Sequence, residues 1–109
     1  MKKLLSIAFL LALSSNAFAD YAWYYGTIKR VWPLNDDGGF VITFEGTSSL
    51  SDCRNQYAVF SASLLPPEKL DKSFSLALSA FHAGSTVGVE LDKDLYDDQC
   101  LPNSITITK

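Results

Sequence analysis

The chain has 109 residues and a formal net charge of −3, and 48% of its residues are hydrophobic. This length is enough for one small domain. The acidic balance disfavours binding to the phosphate backbone of nucleic acids, and no polybasic patch suits an anionic lipid surface.

The first 19 residues have the pattern of a secretory signal peptide rather than of a buried N-terminal helix. Lys2 and Lys3 precede an apolar run at 4–13 that is too short to span a membrane, and Ala17-Phe18-Ala19 is a small-residue cleavage site. We therefore predict a mature domain of residues 20–109 that begins at Asp20, is secreted or periplasmic, and has no membrane span. Without the two leading lysines it carries 7 basic and 12 acidic residues, a net charge of −5.

Five short runs rich in β-branched and aromatic residues predict strands at 26–32, 40–44, 56–62, 86–91 and 104–108. The turn signal Asn35-Asp36-Asp37-Gly38-Gly39 predicts that the first two strands form a hairpin. The alternation in the first strand is imperfect. It leaves open which set faces the core: Ile28, Arg30 and Trp32, or Thr27, Lys29 and Val31.

A single helix is predicted from Pro66 to Gly84. Pro67 suits the first helical position, and Gly84 can adopt the left-handed conformation that ends a helix. An apolar stripe at helical spacing is expected to face the core, and its members are Leu70, Phe74, Ala77, Leu78 and Phe81. A second apolar side, made of Leu76, Ala80 and Ala83, is a candidate interface for a homo-oligomer, although one exposed leucine is also ordinary on a monomer.

The element order β-β-β-α-β-β predicts a mostly β fold, a five-stranded Greek-key barrel of the OB type. Cys53 precedes the third strand and Cys100 the fifth, and these strands are parallel neighbours in such a barrel, so a disulfide is expected between them. A metal pair or a catalytic thiol has no support, because there is no C-x-x-C motif and only one His. The alternative fold is an open α+β sheet with the helix across one face.

Several segments carry a family resemblance across most of the mature chain: Gly26-Thr27-Ile28, Cys53, the run from Leu76 to Val87, and Cys100. In this arrangement the chain resembles the B subunits of AB5 toxins of the subtilase-cytotoxin and typhoid-toxin type. It also resembles other small exported proteins of Gram-negative bacteria. The resemblance implies a non-enzymatic, pentameric, glycan-binding protein. No binding residue is carried over, because the sugar-contacting residues of the toxins cannot be matched one by one.

The aromatic residues Trp23, Tyr24, Tyr25 and Trp32 are the candidate ligand-binding residues. Such side chains stack on sugar faces or on partner side chains; the alternatives are that they pack over the barrel mouth or lie in a mobile N-terminus. The acidic loop at 92–98 lacks the glycine and the final glutamate of an EF-hand, so it is expected to be a solvated loop without a metal.

His82, the one histidine, is expected to be a half-buried packing residue without a catalytic partner. No cofactor and no catalytic residue is therefore predicted. The sequence favours a binding module for a glycan or a protein partner. The alternatives are a stand-alone envelope-associated structural or interaction protein and, last, a small hydrolase that would depend on His82.

Overall fold

The computed structural model describes residues 20–34 and 38–108, so the predicted signal peptide lies outside the described residues. The described elements follow the predicted order of β-β-β-α-β-β. They are β1 (Ala22–Pro33), β2 (Phe40–Phe44), a short 3-10 turn (Arg54–Gln56), β3 (Ala58–Phe60), α1 (Pro67–Ala83), β4 (Thr86–Leu91) and β5 (Ser104–Thr108).

The five strands form one open antiparallel sheet in the order β3-β2-β1-β4-β5. The mostly β architecture with one helix is confirmed, but the closed barrel is not. Among the described residues, the predicted parallel pairing of the third and fifth strands is reduced to one bridge, in which Val59 N donates to Cys100 O at 2.9 Å. We attribute this to the three-residue length of β3 and to Pro102, which has no N–H to extend a ladder.

Strand β1 is longer than predicted, because it begins at Ala22 and includes the aromatic run. Its first half pairs with β4 and its second half with β2. The pairs Ile28–Phe44 and Arg30–Thr43 leave Lys29 as an extra residue, which is a β-bulge. A bulge shifts the two-residue alternation by one position, so odd-numbered residues face outward before it and even-numbered residues after it. Neither of the two regular alternations considered for this strand is therefore correct.

Helix α1 begins at Pro67 and ends at Ala83, and Gly84 adopts a left-handed conformation with φ 68°, as predicted. The predicted core face is partly wrong. Phe81 is 40% exposed, whereas Ala80, assigned to the opposite side, is fully buried; the buried residues are Leu70, Ser73, Ala77 and Ala80. We infer that this row packs inward because its small side chains let the helix backbone approach the sheet closely. Of the candidate oligomer interface, Leu76 is half-buried and Ala83 exposed, and Ala80 cannot face a second subunit.

The core lies between the inner face of the sheet and α1. The rings of Phe40 and Phe60 stack across β2 and β3 with centroids 4.4 Å apart, and Phe74 of α1 lies 5.1 Å from Phe40. Gly26 allows the ring of Phe44 to lie against β1, since a Cβ at this position would be 2.4 Å from that ring. Within the part of the chain that the structure describes, no helix has the length and apolarity to span a membrane.

Cys53 and Cys100 form the predicted disulfide, with their Cα atoms 5.7 Å apart. The bond lies beside the Ala58–Cys100 bridge and joins segments that are 47 residues apart in sequence. It therefore links the two edges of the open sheet covalently.

We predict that replacing both cysteines, as Cys53→Ala with Cys100→Ala, lowers the free energy of unfolding by roughly 4 kcal/mol, because the long loop is no longer closed in the unfolded chain. Denaturant unfolding measures the loss, and chemically reduced wild-type protein should unfold with the double variant. Thiol titration of unfolded, unreduced protein should find no free thiol; two thiols would disprove the bond.

Candidate functional site

Beside the disulfide, the segment before β3 is bonded to the segment at 92–98. Lys93 Nζ donates to Ser49 O at 2.6 Å and to Asp52 Oδ1 at 2.7 Å, and Arg54 pairs with Asp98 at 2.5 Å. The segment at 92–98 is therefore held by specific contacts at Lys93 and Asp98, while Asp94, Leu95, Asp97 and Asp98 are exposed, as expected of a solvated loop. Among the described residues no group of three or more His, Cys, Asp or Glu side chains could hold a metal ion.

The carboxylate of Asp92 anchors the start of the domain. It is only 7% exposed and accepts hydrogen bonds from Asp20 N at 2.7 Å and from Asp94 N at 2.9 Å. Asp20 is the predicted first residue of the mature chain, so its backbone nitrogen is held at the end of β4.

The outer face of β1 carries two exposed aromatic rings, Trp23 and Tyr25, which we call the aromatic platform. Their exposed fractions are 40% and 51%. Both rings lie over Gly88 of β4: a Cβ on this glycine would be 2.6 Å from the Tyr25 ring and 3.2 Å from the Trp23 ring. The missing side chain thus leaves the space that the rings occupy, and both rings lie on the face of strand β1.

Polar side chains border the platform on the same face. In the strand register, Trp23 lies opposite Glu90, which pairs with Ser104, and Gly88 pairs with Thr106. Residues directly opposite in an antiparallel sheet share a face, so hydroxyl groups and one carboxylate flank the two rings. The surface therefore combines apolar ring faces with hydrogen-bonding groups on a rigid sheet.

The four aromatic residues grouped from the sequence do not form one site. Tyr24 points to the inner face, where it packs against the core, and Lys93 Nζ lies 4.3 Å from its ring centroid. Trp32 lies after the bulge, at the other end of β1. Its ring meets Tyr57 edge-on at 5.1 Å, and the guanidinium of Arg30 lies 4.6 Å from its centroid.

A groove of about 430 Å³ adjoins this second aromatic pair. Its lining was not predicted from the sequence and comprises Lys29, Arg30, Thr43, Phe44, Gly46, Asn55, Gln56 and Tyr57. A smaller cavity of about 220 Å³ shares Asn55 and Tyr57 with it. The sequence does show two adjacent basic residues, Lys29 and Arg30, in a predicted strand of an acidic chain. That both of them line one groove depends on the bulge, which the sequence pattern did not predict.

His82 is exposed and not half-buried as predicted, with its ring 5.8 Å from that of Phe81. It lies near the end of α1, on a residue position that points away from the row of buried helix residues.

Comparison of the sequence with protein-family models, with curated proteins and with solved structures found no significant match.

We predict a pH-dependent contribution from the Asp52–Lys93 contact. The hydrogen bond from the Lys93 ammonium lowers the pKa of Asp52 below its ordinary value of 3.8. A lowered folded-state pKa stabilises the fold above the unfolded-state pKa, and this contribution is lost as the pH falls through the folded-state pKa. At pH 6 the unfolding free energy of the wild type should exceed that of Asp52→Asn. The difference should be less than about 1 kcal/mol, because the carboxylate is exposed. At a pH low enough to protonate Asp52, the two unfolding free energies should converge.

The control for this experiment is Asp71→Asn, which removes an exposed helix carboxylate without an ion pair among the described residues. It should show no such convergence. A wild-type advantage over Asp52→Asn that stays constant across the pH range would contradict the assignment.

We also predict that a chain beginning at Asp20 is more stable than one that begins at Ala19. In the shorter chain the nitrogen beside Asp92 is a charged α-amino group, and a charge-assisted hydrogen bond is about twice as strong as a neutral one. The gain should be roughly 1 kcal/mol, measured by thermal unfolding, and it should disappear in a double-mutant cycle with Asp92→Asn. An equal gain with and without Asp92 would refute this contact.

Proposed function

We propose that this chain is a small exported binding module, which acts by binding and not by catalysis, and that its aromatic platform binds a glycan. The observation that carries the proposal is that Trp23 and Tyr25 are exposed side by side over Gly88 on the paired strands β1 and β4. Fixed rings of this kind offer a large apolar contact area at little cost in conformational entropy.

The chemistry beside the rings suits a sugar. A sugar ring has apolar C–H faces that stack on aromatic rings and hydroxyl groups at its rim that need hydrogen-bonding partners. Glu90, Ser104 and Thr106 stand in register with the rings and supply acceptors and donors at the edges of the platform. A protein partner could use the same rings, and it is the competing ligand class.

The export proposal rests on the sequence pattern of residues 1–19 together with the disulfide, since disulfides persist mainly in oxidising compartments. The OB-type proposal is supported by the single parallel bridge between Ala58 and Cys100. Extended in both directions, that bridge would join β3 to β5 and give a barrel. In this interpretation the disulfide holds the segments before β3 and β5 together, as a ladder of hydrogen bonds between these strands does in a closed barrel.

The second candidate function is that of an envelope-associated interaction protein that assembles through α1. The supporting observation is the 40% exposure of Phe81, a large apolar side chain that the helix does not bury. A toxin-like ring of B subunits would also bury such a residue. Light scattering on the mature chain separates a monomer from a ring, and a Phe81→Asp variant would dissolve an assembly that depends on this side chain.

We predict that sugar binding changes the fluorescence of Trp23. In a Trp32→Phe background Trp23 is the sole remaining tryptophan, because the chain has two. A glycan array first identifies the ligand, and Trp23→Ala or Tyr25→Ala should then lower affinity roughly tenfold through lost stacking. The matched control is Leu95→Ala, which removes a large apolar side chain of similar exposure elsewhere and should leave affinity unchanged.

Gly88→Ala provides the sharper variant. Its Cβ would occupy the space of the Tyr25 ring, and that ring can swing into solvent because half of it is already exposed. Affinity should therefore fall with little change in melting temperature. A silent glycan array together with unresponsive Trp23 fluorescence would exclude the glycan hypothesis.

A further inference from the structure

The groove at the other end of β1 is lined by polar side chains from three elements: β1, β2 and the 3-10 turn. Lys29 and Arg30 come from the bulge of β1, Thr43 lies opposite Arg30 on β2, and the 3-10 turn supplies Asn55 and Gln56. Phe44, Gly46 and Tyr57 complete it. The side chains that line it include two cations and two amides, and no carboxylate.

The two cations have no anionic partner among the described residues. Arg54, Lys72 and Lys93 each pair with a carboxylate within 4 Å. In contrast, Lys29 makes no ion pair in the described part of the chain, and the contact of Arg30 is with the face of Trp32. Two adjacent cations without an ion pair among the described residues, on a chain with a net charge of −3, make the groove a local positive site.

Thr43 is the independent observation. It is 9% exposed, and its Oγ1 is buried without a hydrogen-bond partner among the described residues. A buried hydroxyl without a partner destabilises a fold, and a valine of the same shape would avoid that cost. Thr43 lines the same groove as Lys29 and Arg30, neither of which has an ion pair among the described residues. A rotation of its side chain would present the buried hydroxyl to a ligand with acceptor oxygens and give it a partner.

We propose that this groove binds an oxyanion group of a small ligand. Arg30 and Lys29 supply the positive charge, and Thr43 Oγ1 donates a hydrogen bond to one oxygen. The ring of Tyr57, against which Trp32 packs, offers an apolar wall to the body of the ligand. Carboxylate, sulfate and phosphate share this chemistry. The site lies after the bulge, whereas the aromatic platform lies before it, and the two sites bind independently.

The two tryptophans allow the sites to be tested separately. In a Trp23→Phe background Trp32 reports on the groove alone, just as Trp23 reports on the platform in the Trp32→Phe background. Sodium acetate, sulfate and phosphate are titrated at constant ionic strength, so that general salt effects remain equal. Backbone amide shifts of Thr43 and Gln56 provide a second readout for variants that change the fluorescence of Trp32 directly.

We expect saturable binding of at least one of the three anions. Arg30→Gln and Lys29→Gln should each weaken it about tenfold, as the loss of a hydrogen bond to a charged group implies. Lys69→Gln is the matched control, because it removes an exposed lysine that has no ion pair among the described residues. It should leave the affinity unchanged.

Thr43→Val distinguishes a binding role from a structural one. If the hydroxyl awaits a ligand, this variant should have an unchanged or higher melting temperature and an affinity lower by about threefold to tenfold. Which anion binds most tightly identifies the ligand chemistry. A response that does not saturate, or that Arg30→Gln, Lys29→Gln and Lys69→Gln change equally, would overturn the proposal while leaving the glycan hypothesis for the platform untouched.

Discussion

The extra residue in β1 determines which side chains this protein presents to solvent. Strand β1 pairs with β4 through its first half and with β2 through its second half, and the bulge at Lys29 lies where the partner changes. Because a bulge shifts the alternation by one residue, the rings of Trp23 and Tyr25 before it and the Arg30–Trp32 pair after it face outward. A regular strand would have turned one of these sets into the core. Both candidate sites therefore depend on one backbone irregularity.

The open sheet raises a second question, which is how two free edges are held together. The strand ladder contributes one parallel bridge between β3 and the segment before β5. The disulfide lies at the same point, and the ion pairs Lys93–Asp52 and Arg54–Asp98 join the same two loops. Exposed ion pairs contribute little each, so the covalent bond is the main constraint. It keeps the 3-10 turn beside Thr43 and thereby forms one wall of the groove.

The two sites differ in their chemistry although they share a strand. Among the described residues, the strand register places no cation beside the rings of the platform, which presents ring faces, hydroxyl groups and one carboxylate. The groove has two cations and a buried hydroxyl that have no ionic or hydrogen-bonding partner among the described residues, together with two amide groups. A neutral sugar suits the former and an oxyanion the latter. A ligand long enough to carry both features would gain from binding at two points, because the second contact would be intramolecular.

Local residue chemistry was sufficient for a large part of this fold. The hairpin of β1 and β2 followed from its turn residues, the ends of α1 from Pro67 and Gly84, and the disulfide from the presence of two cysteines in a chain expected to be exported. The turn and the helix ends depend only on neighbouring residues, and two cysteines allow only one intramolecular pairing. By contrast, sequence periodicity placed Phe81 inward and Ala80 outward, and the structure reverses this, because the fit of a small-residue row against the sheet decides how a helix is rotated. The open sheet, the bulge at Lys29 and the unpartnered hydroxyl of Thr43 likewise arise only when distant strands pair. The sequence alone thus determined the elements and the covalent link between them, whereas the faces of β1 and α1, and with them both candidate sites, were decided by tertiary packing, since a face is defined only by what lies against it.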